Sequence, residues 1–260
     1  MDDKNIPAHE TRRRNLALSR EGDMPDREAM LAFLPAIPKT ASPVPWLTSI
    51  HAIPGRRNYG DSSYPGNCSG LLIRDLLMFF RPARVLDPMA GGCTCSDVCA
   101  ELGIPCFSLD LKQGHDATDP DLFCDLSPVD FVWMHPPYWR MVHYSDDPRC
   151  LSNAPTLSDF LERLRQVIVN CRDILTSRGR LAILIGDAKY HGEYLALPFR
   201  VMDVAMDEGL SLACPEIVRF SHGATSSRKE YSTSFIPRLH DICLVLQRGR
   251  KSSSQKKTAA

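Results

Sequence analysis

Apolar positions along the chain alternate between two rhythms. From about residue 68, "CSGLLIRDLLMFFRP" places apolar residues at helical spacing and stops at Pro82. "RVLDPMAGGC" (84–93) reads as a short buried strand running into a glycine turn. "TCSDVCAELG" (94–103) reads as a short helix with Gly103 as its C-cap. "IPCFSLDL" (104–111) predicts a second strand, and "VDFVWMH" (129–135) a third that two prolines end. The stretch 156–179 carries Leu161, Leu164, Val167, Ile168, Cys171 and Leu175 on one stripe. It predicts a long helix with Ser158 as N-cap and Gly179 as its closing residue. "RLAILIGD" (180–187) predicts a fully buried strand and "LPFRVMDVAMDEG" (197–209) another helix. "PEIVRF" (215–220) and "HDICLVLQR" (240–248) predict a late antiparallel pair at a sheet edge. Strands that alternate with helices imply an α/β domain whose mostly parallel sheet is covered on both faces.

Composition adds bounds. The 260 residues suit one large domain with appendages, and 43% hydrophobic with 24% charged residues is ordinary for a globular chain. No apolar run reaches the roughly 18 residues of a membrane span, and the polar N-terminus shows no apolar signal region. The expectation is a cytoplasmic protein without a membrane partner. Residues 1–50, polar and then proline-rich, read as a partly ordered arm. Residues 51–248 read as the catalytic domain, and 249–260 as a disordered basic tail.

Charge balances at 31 cations and 31 acids, but unevenly. Residues 219–238 hold Arg219, Arg228, Lys229 and Arg238 against Glu230 alone, a local patch suited to phosphates. Ten cysteines without a signal peptide read as reduced thiols. Cys95 and Cys99 would share a helix face and pack as small apolar groups. No CxxC pair occurs, so no metal site is expected.

The chemistry is expected in the loops after the strands, because open α/β sheets bind ligands at the carboxyl ends of their strands. After the first strand comes Asp87-Pro88-Met89-Ala90-Gly91-Gly92, where glycine lets a ligand approach the backbone. Asp110 follows 19 residues after Gly91, the spacing of an acid that grips ribose hydroxyls. Asp116 is placed to receive an adenine amino group. An adenosine-containing cofactor fits this set, and a nicotinamide dinucleotide does not, because GxGxxG is absent.

After the third strand stands His135-Pro136-Pro137-Tyr138. It resembles the Asp/Asn/Ser-Pro-Pro-aromatic motif of S-adenosylmethionine-dependent DNA amino-methyltransferases, and "DPMAGGCT" resembles their cofactor motif. The likeness runs from about residue 58 to 248, with Asn67 and Ser69 in the segment that lies beside the cofactor's methionine end. It departs from the family at His135 and at Cys93, which replaces a glycine. It implies a Rossmann-like class I fold: a seven-stranded, mostly parallel sheet with an antiparallel edge hairpin. It also implies S-adenosylmethionine as cofactor and DNA as partner. The implied activity is methyl transfer to adenine N6, with cytosine N4 as the alternative. His135 and the Pro136 carbonyl would accept hydrogen bonds from the target amine, and Tyr138 would stack on a base taken out of its duplex. Trp139, Arg219, Arg228 and Lys229 would meet nucleic acid. Little chain remains for target recognition, so relaxed specificity or a homodimer is expected, in a bacterial or phage- or plasmid-encoded protein. An RNA or tRNA guanine-N2 methyltransferase and a non-catalytic binding module remain as alternatives.

Overall fold

The computed structural model describes residues 34–53, 57–220 and 236–249. The chain parts into Met1–Pro38 and Lys39–Ala260, and the second unit holds the sheet. Its elements are β1 (Ile50–His51), α1 (Leu71–Phe80), β2 (Val85–Asp87), α2 (Thr94–Leu102), β3 (Cys106–Ser108) and β4 (Val129–Met134). These are followed by α3 (Leu157–Ile174), β5 (Leu175–Ile185), β6 (Ala188–Tyr190), β7 (Glu193–Leu195), α4 (Leu197–Asp207), β8 (Leu210–Leu212), β9 (Ile217–Phe220) and β10 (His240–Arg248).

Eight strands form the main sheet in the order β1-β9-β10-β5-β4-β2-β3, with β8 also paired to β10. The core pairs β3/β2, β2/β4 and β4/β5 are parallel, while β10 runs antiparallel to β5, β8 and β9. This is the Rossmann-like class I methyltransferase arrangement. One strand exceeds expectation. The two-residue β1 pairs with β9, Ile50 opposite Val218, so the late antiparallel pair is not the sheet's last edge.

Strand alternation delivers side chains to both faces. On β4, Phe131 and Trp133 pack with Leu72, Ile73 and Val98 from α1 and α2, while Val132 and Met134 join Phe160, Leu164 and Val201 from α3 and α4. On β5, Ala182 and Leu184 face the first layer and Leu181, Ile183 and Ile185 the second. Two-sided burial explains why both strands read as continuous apolar runs.

Gly103 caps α2 as expected, in the left-handed conformation, with its N–H on Ala100. The long helix differs at both ends. Its N-cap is Thr156, not Ser158. The Thr156 hydroxyl accepts the Asp159 N–H at 3.1 Å while the Asp159 carboxylate accepts the Thr156 N–H at 3.0 Å, a reciprocal box that Ser158 has no partner to form. The helix ends at Ile174, and residues 175–179 already belong to β5, so Gly179 closes nothing. A Thr156→Ala variant should lose about 1 kcal/mol of stability in urea denaturation. Thr156→Ser should lose much less, because it keeps the hydroxyl.

Candidate active site

The chain leaves β2 for β3 on one side and reaches β4 on the other, so a crevice opens beyond the ends of β2 and β4. The pocket there is lined by residues from the loops that follow β2, β3 and β4. Asp87, Met89, Ala90, Gly91 and Gly92 form one wall, Asp110, His115 and Asp116 another, and His135, Pro136 and Pro137 a third.

The glycine turn spends four of its backbone donors internally. The Met89 N–H reaches Asp87 at 3.1 Å, Ala90 N–H reaches the Leu109 carbonyl at 2.8 Å, and Gly91 N–H reaches Asp110 at 2.9 Å. Cys93 N–H closes on the Ala90 carbonyl at 2.7 Å. A phosphate-binding loop needs such groups free. With three carboxylates around it, this turn disfavours a pyrophosphate and suits hydroxyls or a cation. Gly91 adopts a φ of 48°, and a Cβ there would stand 2.8 Å from the Tyr64 ring. Cys93, where the motif has glycine, carries the left-handed conformation itself at a φ of 63°. Gly92 does not share it.

Asp87 is 3% exposed. Burial first, then the nearby Cys106 and Asp110, push its carboxyl well above the ordinary range, and only the Met89 N–H opposes them. A cationic ligand would reverse that penalty. Asp110 also takes the Lys112 N–H at 2.9 Å, so its two oxygens tie the glycine turn to the following turn. Asp116 turns one oxygen to the Thr118 N–H and hydroxyl. The adjacent His115 has a buried Nδ1 with no partner among the described residues. His115 lies beside Asp116 on the pocket lining. Sequence reasoning passed over His115, although it adjoins the acid singled out.

Segment 59–70 is strapped onto the glycine turn. Asp61 N–H reaches the Gly92 carbonyl at 2.7 Å, Gly60 N–H reaches Asp97 at 2.7 Å, and Asn67 joins Thr94 and the Asp61 carbonyl. Asn67 therefore lines the pocket, and Ser69 does not.

His135 directly follows β4. Burial, with a further push from Arg219, lowers its pKa to about 4 against the pull of Asp241, so its imidazole is neutral at pH 7. Pro136 and Pro137 lie beyond the last ladder pair, Met134 with Ile183, and Pro136 has no N–H to give. Pro136 is buried, and no hydrogen bond among the described residues reaches its carbonyl.

Three expected contacts take other places. Tyr138 is 6% exposed and absent from the pocket wall. Its hydroxyl accepts the Gly186 N–H at 2.8 Å and faces Asp241 at 3.4 Å, which holds the ring inside the fold. Tyr64 and Tyr144, 6.4 Å apart, line the pocket together with Trp133, whose ring is buried in the core. Trp139 is also buried. Its indole N–H donates to the Ala154 carbonyl at 2.9 Å and its ring lies on Tyr190, so it offers no face to a nucleotide. Arg219, 11% exposed, is ion-paired to Asp241 at 3.1 Å. Arg228 and Lys229 lie outside the described residues.

No family model matches the chain, and no curated protein matches it. Among solved structures, TrmN from Thermus thermophilus shares 17% identity at a TM-score of 0.44, over 71% of this chain and 50% of that one. A proposed DNA modification methylase, also from Thermus thermophilus and solved with S-adenosyl-L-methionine, shares 19% at 0.37, over 54% of each chain. A SAM-dependent methyltransferase from Archaeoglobus fulgidus shares 14% at 0.43, over 69% of this chain and 95% of that one. The chain thus spans about half the length of the first two. These likenesses are distant, and the strand order itself carries the fold. No helix among the described residues is long and apolar enough to cross a membrane.

Proposed function

We propose that this chain transfers a methyl group from S-adenosylmethionine to an exocyclic amine of a base in DNA, adenine N6 in preference to cytosine N4. The observation that carries this reading is Pro136, whose carbonyl meets no hydrogen bond among the described residues, on the pocket lining beside the neutral His135. When bound, the cofactor would supply an electrophilic methyl group on a sulfonium centre. Asp110 and Asp116 would hold its hydroxyl and amino groups, and Asp87 would favour its positive charge. The turn's consumed N–H groups support this cofactor over a phosphate-bearing one.

An exocyclic amine is a poor nucleophile because its lone pair is conjugated with the ring. Two acceptors at fixed positions, the Pro136 carbonyl and a His135 nitrogen, would draw its hydrogens out of the ring plane and aim the lone pair. A neutral imidazole can accept such a bond, whereas a protonated one could only donate and would repel the cofactor's charge. The Tyr64 and Tyr144 rings are the aromatic faces available to a base. The resemblance of "HPPY" and "DPMAGGCT" to the DNA amino-methyltransferase motifs supports DNA over RNA.

The test incubates the protein and labelled cofactor with duplex DNA, single-stranded DNA and RNA, and identifies the methylated nucleoside by mass spectrometry. N6-methyladenine from DNA is the expected product. Label confined to RNA would overturn the DNA assignment.

His135 also carries a pH prediction. Its folded pKa of about 4 lies below the ordinary 6.5, so between those values the unfolded chain binds a proton that the folded chain refuses. Stability should therefore fall as pH drops from about 6.5 toward 4, and His135→Asn should flatten that slope in denaturation series. His135→Ala, which removes the acceptor altogether, should lower kcat on the order of 100-fold at pH 7.5.

A further inference from the structure

We propose that Cys95, Cys99 and Cys106 form a binding site for one soft, thiophilic d10 metal cation behind the wall of the candidate active site. Cys95 and Cys99 stand four residues apart on one face of α2, and Cys106 comes from β3, against which that helix packs. Their three sulfurs lie within 4.8 Å of one another. Sulfurs each about 2.3 Å from one central ion are about 4 Å apart in a trigonal plane, so small side-chain rotations would close the site. Among the described residues no other His, Cys, Asp or Glu joins the group. Three thiolates without an oxygen or nitrogen ligand select soft ions such as cadmium(II) or copper(I) over magnesium or calcium.

Access is available through Cys106. Cys95 and Cys99 are almost fully buried, but Cys106 is only partly so, and β3 is the end strand of the sheet. Binding a divalent ion forms three metal–sulfur bonds and breaks up to three S–H bonds, whose protons leave to solvent. Cys95 also lines the active-site pocket. An ion in the cluster would therefore fix α2 where the glycine turn enters it. None of this depends on the methyl-transfer reading.

The experiment titrates the reduced, full-length protein with cadmium(II) under anaerobic conditions. It follows thiolate-to-metal charge-transfer absorbance and the metal count by native mass spectrometry. The expected result is one tightly held cadmium per chain. Cys95→Ser, Cys99→Ser and Cys106→Ser should each weaken it ~10-fold or more, while Cys124→Ser and Cys93→Ser, which remove exposed thiols, leave it intact. Each variant is first checked for a cooperative melt, and Cys106→Ser, at the least buried position, serves if the helix variants fail to fold. Absent stoichiometric binding, or binding that follows Cys93 or Cys124 instead, would overturn the site.

Discussion

An Asp110→Ala variant is expected to bind S-adenosylhomocysteine on the order of 1000-fold more weakly than the parent chain in calorimetric titration. Two losses combine. The carboxylate is the acceptor for Gly91 N–H and Lys112 N–H, both at 2.9 Å, so its removal frees the glycine turn and uncaps the turn Leu111–Gln113. It also removes the acceptor offered to a ribose diol, and hydrogen bonds to a charged group are worth ~1.5–3 kcal/mol each. Two such bonds account for roughly the 4 kcal/mol that a 1000-fold change represents. Asp110→Asn keeps one carbonyl oxygen, so it should retain part of both functions and lose nearer tenfold. The product has no sulfonium charge, so the measurement reads Asp110 and the turn rather than the charge preference of Asp87. Unchanged affinity in Asp110→Ala would sink the cofactor assignment.

The glycine turn and its acid were readable because each is a local pattern: a strand ends, a turn follows, and a carboxylate arrives one βα unit later. Other features had no local signature. The chain passes from α3 to β5 at Ile174/Leu175 with no glycine or proline to mark it, and the apolar stripe simply continues. β1 is too short to show any period. Thr156 and Ser158 are both good caps, and only the acid three residues after Thr156 separates them. The side of the sheet on which Tyr138 falls depends on Gly186, 48 residues away, whose N–H it meets. Cys106 reaches the two helix cysteines only because β3 pairs with β2 beneath α2. For Tyr138 and Cys106 the deciding partner comes from another element, which no pattern along the chain reveals.

Asp241→Ala should destabilise the fold by ~2–3 kcal/mol, because hydrogen bonds to charged groups are worth ~1.5–3 kcal/mol each and the partly buried Arg219 loses its ion pair. Asp241 is 13% exposed, with one oxygen 3.1 Å from Arg219 and the other 3.8 Å from Arg238 and 3.4 Å from the Tyr138 hydroxyl. Arg219 already has a buried Nε without a partner among the described residues, so losing Asp241 would remove its ion pair. Gly186 leaves the space this network occupies, since a Cβ there would lie 2.3 Å from the Asp241 carboxylate. Asp241→Asn should cost less, because an amide oxygen can still accept from one guanidinium. The effect should reach the site as well. Asp241 is the group that raises the His135 pKa and Arg219 one that lowers it, so the variant should push that pKa further down. Urea denaturation at pH 7.5 reads the stability loss, and the imidazole shifts in NMR across pH read the second effect. A variant as stable as the parent would mean that the carboxylate does not hold the two arginines together. An unmoved His135 titration would mean that the start of β10 and the residue after β4 are not electrostatically joined.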